Sequence, residues 1–194
     1  MSNLTTPLKT KSGRERAVPD CQEIRTPRLS LRPISHELAS DIFNSFDPTV
    51  ARYTVPQPPE RIDETVAFIT RSQASKQAGS ELVVSIHRLG DGEFLGVGGL
   101  HCSETPSTPE LGIWLKSAAH GNGFGKEAVV GMIQWAEANL DIEYFVYPVD
   151  RRNVPSRKIP ESLGGKAIAE RKTPTMLGNL LDIIVFAIPR QTTI

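Results

Sequence analysis

The stretch His120-Gly121-Asn122-Gly123-Phe124-Gly125-Lys126-Glu127-Ala128 has the composition of an anion-binding turn. Alternate glycines let a backbone take positive φ and aim N–H groups at one point with no Cβ in the way. Before the turn, the apolar run Leu111 to Leu115 reads as a strand; after it, an amphipathic helix opens near Gly123. The first turn of such a helix adds unpaired N–H groups and the positive end of its dipole. The chemistry this allows is capture of a phosphate or pyrophosphate. Spacing then separates the phosphate ligands. A P-loop, GxxxxGK followed by Ser or Thr, fails because Lys126 precedes Glu127 and His120 stands five positions before Gly125. A dinucleotide fingerprint, GxGxxG, fails because Lys126 occupies the third glycine position. Asp141 and Glu143 fall near the place of a ribose-binding acid, but an acid there is common by chance.

The pattern that does fit is Q/R-x-x-G-x-G/A, with His120 in the first position and then Gly123 and Gly125. In this the loop resembles the pyrophosphate loop of the GNAT acyl-CoA N-acyltransferases. Two further segments share the resemblance. Asn153-Val154-Pro155-Ser156-Arg157-Lys158-Ile159-Pro160-Glu161-Ser162-Leu163-Gly164-Gly165 is similar to the N-x-x-S…E-x-L-G element after the family's fifth strand. Thr26-Pro27-Arg28-Leu29-Ser30-Leu31-Arg32-Pro33 resembles the first strand of its ribosomal-protein N-terminal acetyltransferase (RimJ/RimL-like) branch. The three elements stand in the family's order over residues 24–190.

The resemblance implies a site. Pantetheine of acetyl-CoA, the cosubstrate, would lie where the strand before the glycine loop carries a bulge and parts from the strand after the loop helix. Ile113, Trp114 and Leu115 would line it through their backbone, with the Trp114 side chain structural. The N–H groups of His120, Gly121, Asn122, Gly123, Phe124, Gly125 and Lys126 would surround the pyrophosphate. His120 replaces the usual Gln or Arg and would hold phosphate better when protonated; Lys126 would add charge. Glu127 is explained by dipole complementarity alone. Asn153 and Ser156 match positions that contact the cofactor, and Asn153 can also cap its helix.

Acyl transfer from a thioester to an amine needs a neutral amine, a stabilised oxyanion and a proton for the departing thiolate. Glu110 matches the acid that opens this strand in related enzymes and is the expected base, acting through water because an unperturbed carboxylate sits at about 4. His101 has the better intrinsic pKa but is expected to be structural. Many relatives place a tyrosine on the helix after the fifth strand; none stands between Ser156 and Gly164, and Tyr144 and Tyr147 lie upstream. Ser156 is therefore expected to hydrogen-bond the sulfur. Pro160 cannot donate to the carbonyl of Ser156, so that helix should kink or loosen.

Elements able to position these residues are legible in the pattern. Leu29 and Leu31 alternate with polar residues as in a half-buried strand stopped by Pro33. Ser35 can cap a helix carrying Leu38, Ile42, Phe43 and Phe46; Val66 and Ile69 mark a second, stopped by Gly79. Leu82–Ile86 and Phe94–Val97 read as strands around an Asp91-Gly92 turn. Tyr144–Val149, Ala167–Ala169 and Asp182–Ile188 complete the set. Periodicity gives an α+β single domain. The resemblance makes it the GNAT fold, a mixed, mostly antiparallel sheet of about seven strands flanked by about four helices.

The 194 residues suffice for one domain burying roughly 70% of its unfolded surface. We expect a flexible N-terminal arm over residues 1–23 and one catalytic domain over 24–194. The 22 basic and 22 acidic residues balance without long like-charge runs, which argues against nucleic-acid and membrane-surface partners. No transmembrane run or secretory signal is visible, and Cys21 and Cys102 read as thiols of a cytoplasmic protein. No metal is expected, since the histidines and cysteines lack ligand spacing. The expected activity is N-acetyl transfer to a primary amine, a peptide N-terminus or a small molecule, directly within a ternary complex, because neither cysteine has a nucleophile's setting. A homodimer is left open. The alternative is a non-catalytic acyl-CoA-binding or regulatory module of the same fold.

Overall fold

The computed structural model describes residues 21–101, 107–176 and 178–191. Eight strands form one sheet: β1 (Ile24–Arg25), β2 (Leu29–Pro33), β3 (Glu81–Arg88), β4 (Phe94–His101), β5 (Glu110–Leu115), β6 (Tyr144–Asp150), β7 (Lys166–Pro174) and β8 (Leu180–Pro189). Their spatial order is β1-β2-β3-β4-β5-β6-β8-β7, and every pair is antiparallel except β5 with β6. The helices are α1 (Ala39–Ser45), α2 (Pro48–Ala51), α3 (Ile62–Gln77), α4 (Phe124–Asn139) and α5 (Val154–Ser162). This is the α+β architecture expected, with one strand and one helix more. The extra strand, β1, is a two-residue ribbon pairing Ile24 with Leu31, too short to show alternation. The extra helix, α2, is a single turn whose N–H groups at Thr49 and Val50 donate to the Asp47 carboxylate. Ser35 makes no side-chain cap; it precedes a 3₁₀ turn, and α1 starts only at Ala39.

Two cores sandwich the sheet. On one face α4 lays Val129, Met132, Ile133 and Ala136 over Leu31, Ile86, Leu100, Leu111 and Phe145. On the other, Ile42 of α1 and Ile69 of α3 pack on Val83, Phe94 and Val97. Period-2 alternation divides β5 accordingly: Leu111, Ile113 and Leu115 join the first core, while Trp114 joins the second. Most of the expected arm, residues 1–20, lies outside the described residues, as does Cys102. Cys21 is buried, and the Glu23 carboxylate accepts from Ser30 and Arg25, tying the segment before β1 to β2.

The feature that matters most for function is in the middle of the sheet. β5 and β6 share one bridging pair, Glu110 with Val146, and then part. β5 stays with β4 in unbroken register from His101↔Glu110 to Gly96↔Leu115. β6 follows β8 from Asp150↔Ile183 to Tyr144↔Pro189. The expected bulge is therefore absent from the β4–β5 pairing; in this part of the sheet the register shifts instead between Ile86 and His87 of β3. The gap opens because each strand keeps faith with its outer neighbour.

Candidate active site

Beyond Glu110 the β5 edge has no strand partner in β6, a condition that folded sheets normally avoid. A cavity of about 510 Å³ opens at this place, lined among others by His101, Glu110, Ile113, Trp114, Tyr147, Asn153 and Ser156. Residues from β4, β5, β6 and α5, far apart in sequence, therefore converge. The Trp114 ring stacks 5.0 Å from Phe46 and 6.1 Å from Phe94, so its side chain belongs to the core and its backbone to the gap.

The glycine loop stands at the start of α4. Gly121 (φ 75°) and Gly123 (φ 76°) both take the left-handed conformation, and Gly123 is the residue from which the helix starts. A side chain there would be strained whatever the space around it. The loop is braced from within: Asn122 Nδ2 donates to the His120 carbonyl at 2.9 Å. His120 Nε2 donates to the Leu115 carbonyl at 2.8 Å, so one ring nitrogen fastens the loop to the end of β5. Lys126 is exposed on the first helical turn. Leu115 and Ile159 side chains close around Gly125, within 3.7 Å and 3.5 Å of where its Cβ would be.

Arg28 is a residue that sequence reasoning passed over. Its guanidinium donates to the Asn122 carbonyl at 3.1 Å and to the Glu127 carboxylate at 2.6 Å, and lies 4.7 Å above the Phe124 ring. Its Nη2 lies 3.5 Å from the Cβ position of Gly123. A cation thus sits against the glycine turn, in addition to Lys126. Glu127 also accepts from the Thr26 hydroxyl and the Arg28 N–H. Burial pushes the Glu127 carboxyl up, but these three donors outweigh it and hold it below the usual carboxylate range. The Thr26-Pro27-Arg28 segment and the glycine loop are one assembly.

On the α4–α5 side of the gap, the Asn153 side chain accepts from the Ser156 N–H at 3.4 Å and starts α5. The Ser156 hydroxyl lies 2.9 Å from the Tyr147 hydroxyl. Tyr147, the second residue that sequence reasoning set aside, is 2% exposed, and burial pushes its phenol up to about 12 despite the Ser156 bond. It therefore stays protonated and able to donate at any physiological pH. Pro160 does not break α5, which runs on to Ser162; its carbonyl accepts from Leu163 and Gly165, closing the end of the helix.

The opposite, α3-facing side carries the titratable groups. Glu110 is 36% exposed, with the Arg171 guanidinium 3.9 Å from one oxygen. His101 stands opposite Glu110 in the register, and its Nδ1 lies 2.9 Å from the Glu81 carboxylate. The gap thus separates hydroxyls on one face from a carboxylate and an imidazole on the other. Among the described residues, no three metal-ligating side chains cluster.

Residues 28–166 match the family model described as Acetyltransferase (GNAT) domain. No curated protein sequence matches the chain significantly. Solved structures show the same fold. The ribosomal L7/L12 α-N-protein acetyltransferase RimL in complex with coenzyme A has a TM-score of 0.79 at 16% identity, over 89% of this chain and all 100% of that one. A Salmonella typhimurium acetyl transferase that modifies the N-terminal serine of L7/L12 gives 0.76 at 16%, over 87% and 99%. A GNAT-family acetyltransferase of Bacillus anthracis gives 0.74 at 16%, over 88% and 99%. With a family model spanning the glycine loop, the parted strands and the α5 serine, the chain belongs to the GNAT acetyltransferase family.

Proposed function

We propose that this chain is an acetyl-CoA-dependent N-acetyltransferase, an acyltransferase moving groups other than aminoacyl groups, that acts on a primary amine by direct transfer in a ternary complex. The observation that carries the reading is the parting of β5 and β6 immediately after Glu110↔Val146, with proton donors on one face and proton acceptors on the other. In this reading the free β5 edge at Ile113–Leu115 holds pantetheine. The turn from His120 to Lys126, with the Arg28 guanidinium beside it, holds the pyrophosphate. Ser156 faces the sulfur and, backed by the neutral Tyr147 phenol, supplies a hydrogen bond or proton to the thiolate. Glu110 draws the acceptor's ammonium ion to the vertex of the gap, where it can lose a proton before attack.

The acceptor is a peptide N-terminus or a small-molecule amine; two of the similar solved enzymes act on ribosomal L7/L12, which makes N-terminal peptides the first to test. Residues 24–194 act as one catalytic domain in the cytoplasm without metal. No helix among the described residues is long and apolar enough to cross a membrane. The test is steady CoA release from acetyl-CoA with a panel of peptides bearing free N-termini and of small primary amines. Acetylated product from at least one is expected. Binding of acetyl-CoA with no transfer to any amine would favour the non-catalytic module instead.

A further inference from the structure

Three side chains form one row across the sheet. His101 of β4 pairs directly with Glu110 of β5 and with Glu81 of β3, and directly paired residues point to the same face. Among the described residues the imidazole is held by Glu81, with Nδ1 2.9 Å from a carboxylate oxygen. An ionised carboxylate offers only acceptors, so Nδ1 carries the hydrogen and Nε2 of the neutral ring keeps its basic lone pair. Nε2 is not turned away from the site. A Cβ on Gly99 would stand 2.6 Å from it, and one on Gly112 would stand 3.2 Å from it. Gly99 and Gly112 pair with each other, two residues along the same face, and neither needs positive φ. What these glycines provide is space. The ring lies over them, where two side chains would otherwise project, leaning from the Glu110 end of the row toward Trp114. Both glycines and His101 line the same cavity.

Resting on the acetyltransferase reading above, we propose that His101 is the base that receives the acceptor's proton, that Glu81 is its positioning residue, and that Gly99 and Gly112 form its seat. The acceptor enters as an ammonium ion held by Glu110, and one proton passes to His101 Nε2, directly or through one water. The neutral amine forms the C–N bond at the thioester carbon. The C–S bond breaks, and the second nitrogen-bound proton ends on sulfur by way of the Ser156 side. His101 then releases its proton to solvent. The products are an amide, a CoA thiol and one proton.

The experiment is single-turnover transfer from acetyl-CoA to a short peptide with a free N-terminal serine, or to the best small amine of the panel. His101→Ala should lower the chemical rate by roughly 10²–10⁴-fold, the range of general base catalysis, with acetyl-CoA affinity unchanged by calorimetry. Added imidazole should restore part of the rate in His101→Ala and none in wild type. His101→Gln and Glu81→Gln serve as gentler variants, and Glu81→Gln should lose less than either His101 change. Independently of any acceptor, ¹⁵N spectra of the intact protein should show the neutral ring protonated on Nδ1, with the tautomers mixed in Glu81→Gln. A wild-type chemical rate in His101→Ala or His101→Gln, or a wild-type ring protonated on Nε2, overturns this proposal while leaving the acetyltransferase reading intact. A wild-type protein that transfers to no amine overturns that reading itself.

Discussion

Asp150→Asn perturbs the junction between β6 and α5, which sets where Asn153 and Ser156 stand. Asp150 is fully buried, and its carboxylate accepts from the Arg152 N–H, Nε and Nη2 and from the Asp182 N–H at 2.8–2.9 Å. The Arg152 side chain is the strongest influence; burial opposes it, the two N–H groups support it, and the pKa is held at about 2 against an ordinary 3.8. Discounted for the exposure of Arg152, that difference is worth about 2 kcal/mol of folding stability. The sign follows from which state binds the proton first. As pH falls through 3.8 the unfolded chain takes it up while the folded one does not, so the contribution is full at neutral pH and drains away toward pH 2. Asparagine keeps the shape but points an NH₂ at two of the four donors, because each carboxylate oxygen accepts from two of them. Urea denaturation at pH 7 should show a loss of about 2–3 kcal/mol, narrowing to a small remainder near pH 2.5. A variant as stable as wild type at pH 7, or a deficit that does not change with pH, would refute the electrostatic reasoning.

Gly123→Val should weaken acetyl-CoA at least roughly tenfold, about 1.4 kcal/mol, by straining the φ of 76° and crowding Arg28; unchanged calorimetric affinity in a folded variant would exclude the loop as the phosphate site. Glu110→Gln should cut single-turnover transfer roughly 10²-fold with acetyl-CoA affinity hardly moved. A wild-type rate would remove Glu110 from the acceptor side. Ser156→Ala and Tyr147→Phe should each slow thiolate departure, and the double variant should be little worse than the poorer single one, because the hydroxyls share one hydrogen bond. Additive losses measured in single turnover would show that they act separately.

What was legible in the sequence was local. The glycine loop announces itself because positive φ and close N–H packing leave a glycine signature within a few residues, and Gly123 does start α4. The meander of β3 to β5 was legible from alternation and the Asp91-Gly92 turn. What escaped was long-range. Arg28 meets Glu127 across 99 positions, and no period connects them. Tyr147 stands on a strand, away from the helix position where a tyrosine is expected, until α5 folds back and sets Ser156 against it. The space that Gly99 and Gly112 leave for the His101 ring was hidden because a glycine that makes room for a neighbour's ring looks, in sequence, like one that ends a strand. The expected bulge came with the resemblance, and β5 has its gap without it, because the divergence is imposed by β8 drawing β6 away.

In the proposed function, one continuous surface from the β5 edge to the start of α4 receives coenzyme A. Backbone amide chemical shifts during a titration with CoA test it residue by residue, with NAD as the control. Saturable shifts are expected at Ile113–Leu115 and at Gly121–Lys126 with CoA and none there with NAD. Saturable CoA binding that leaves those amides unmoved, or equal shifts with NAD, would contradict it.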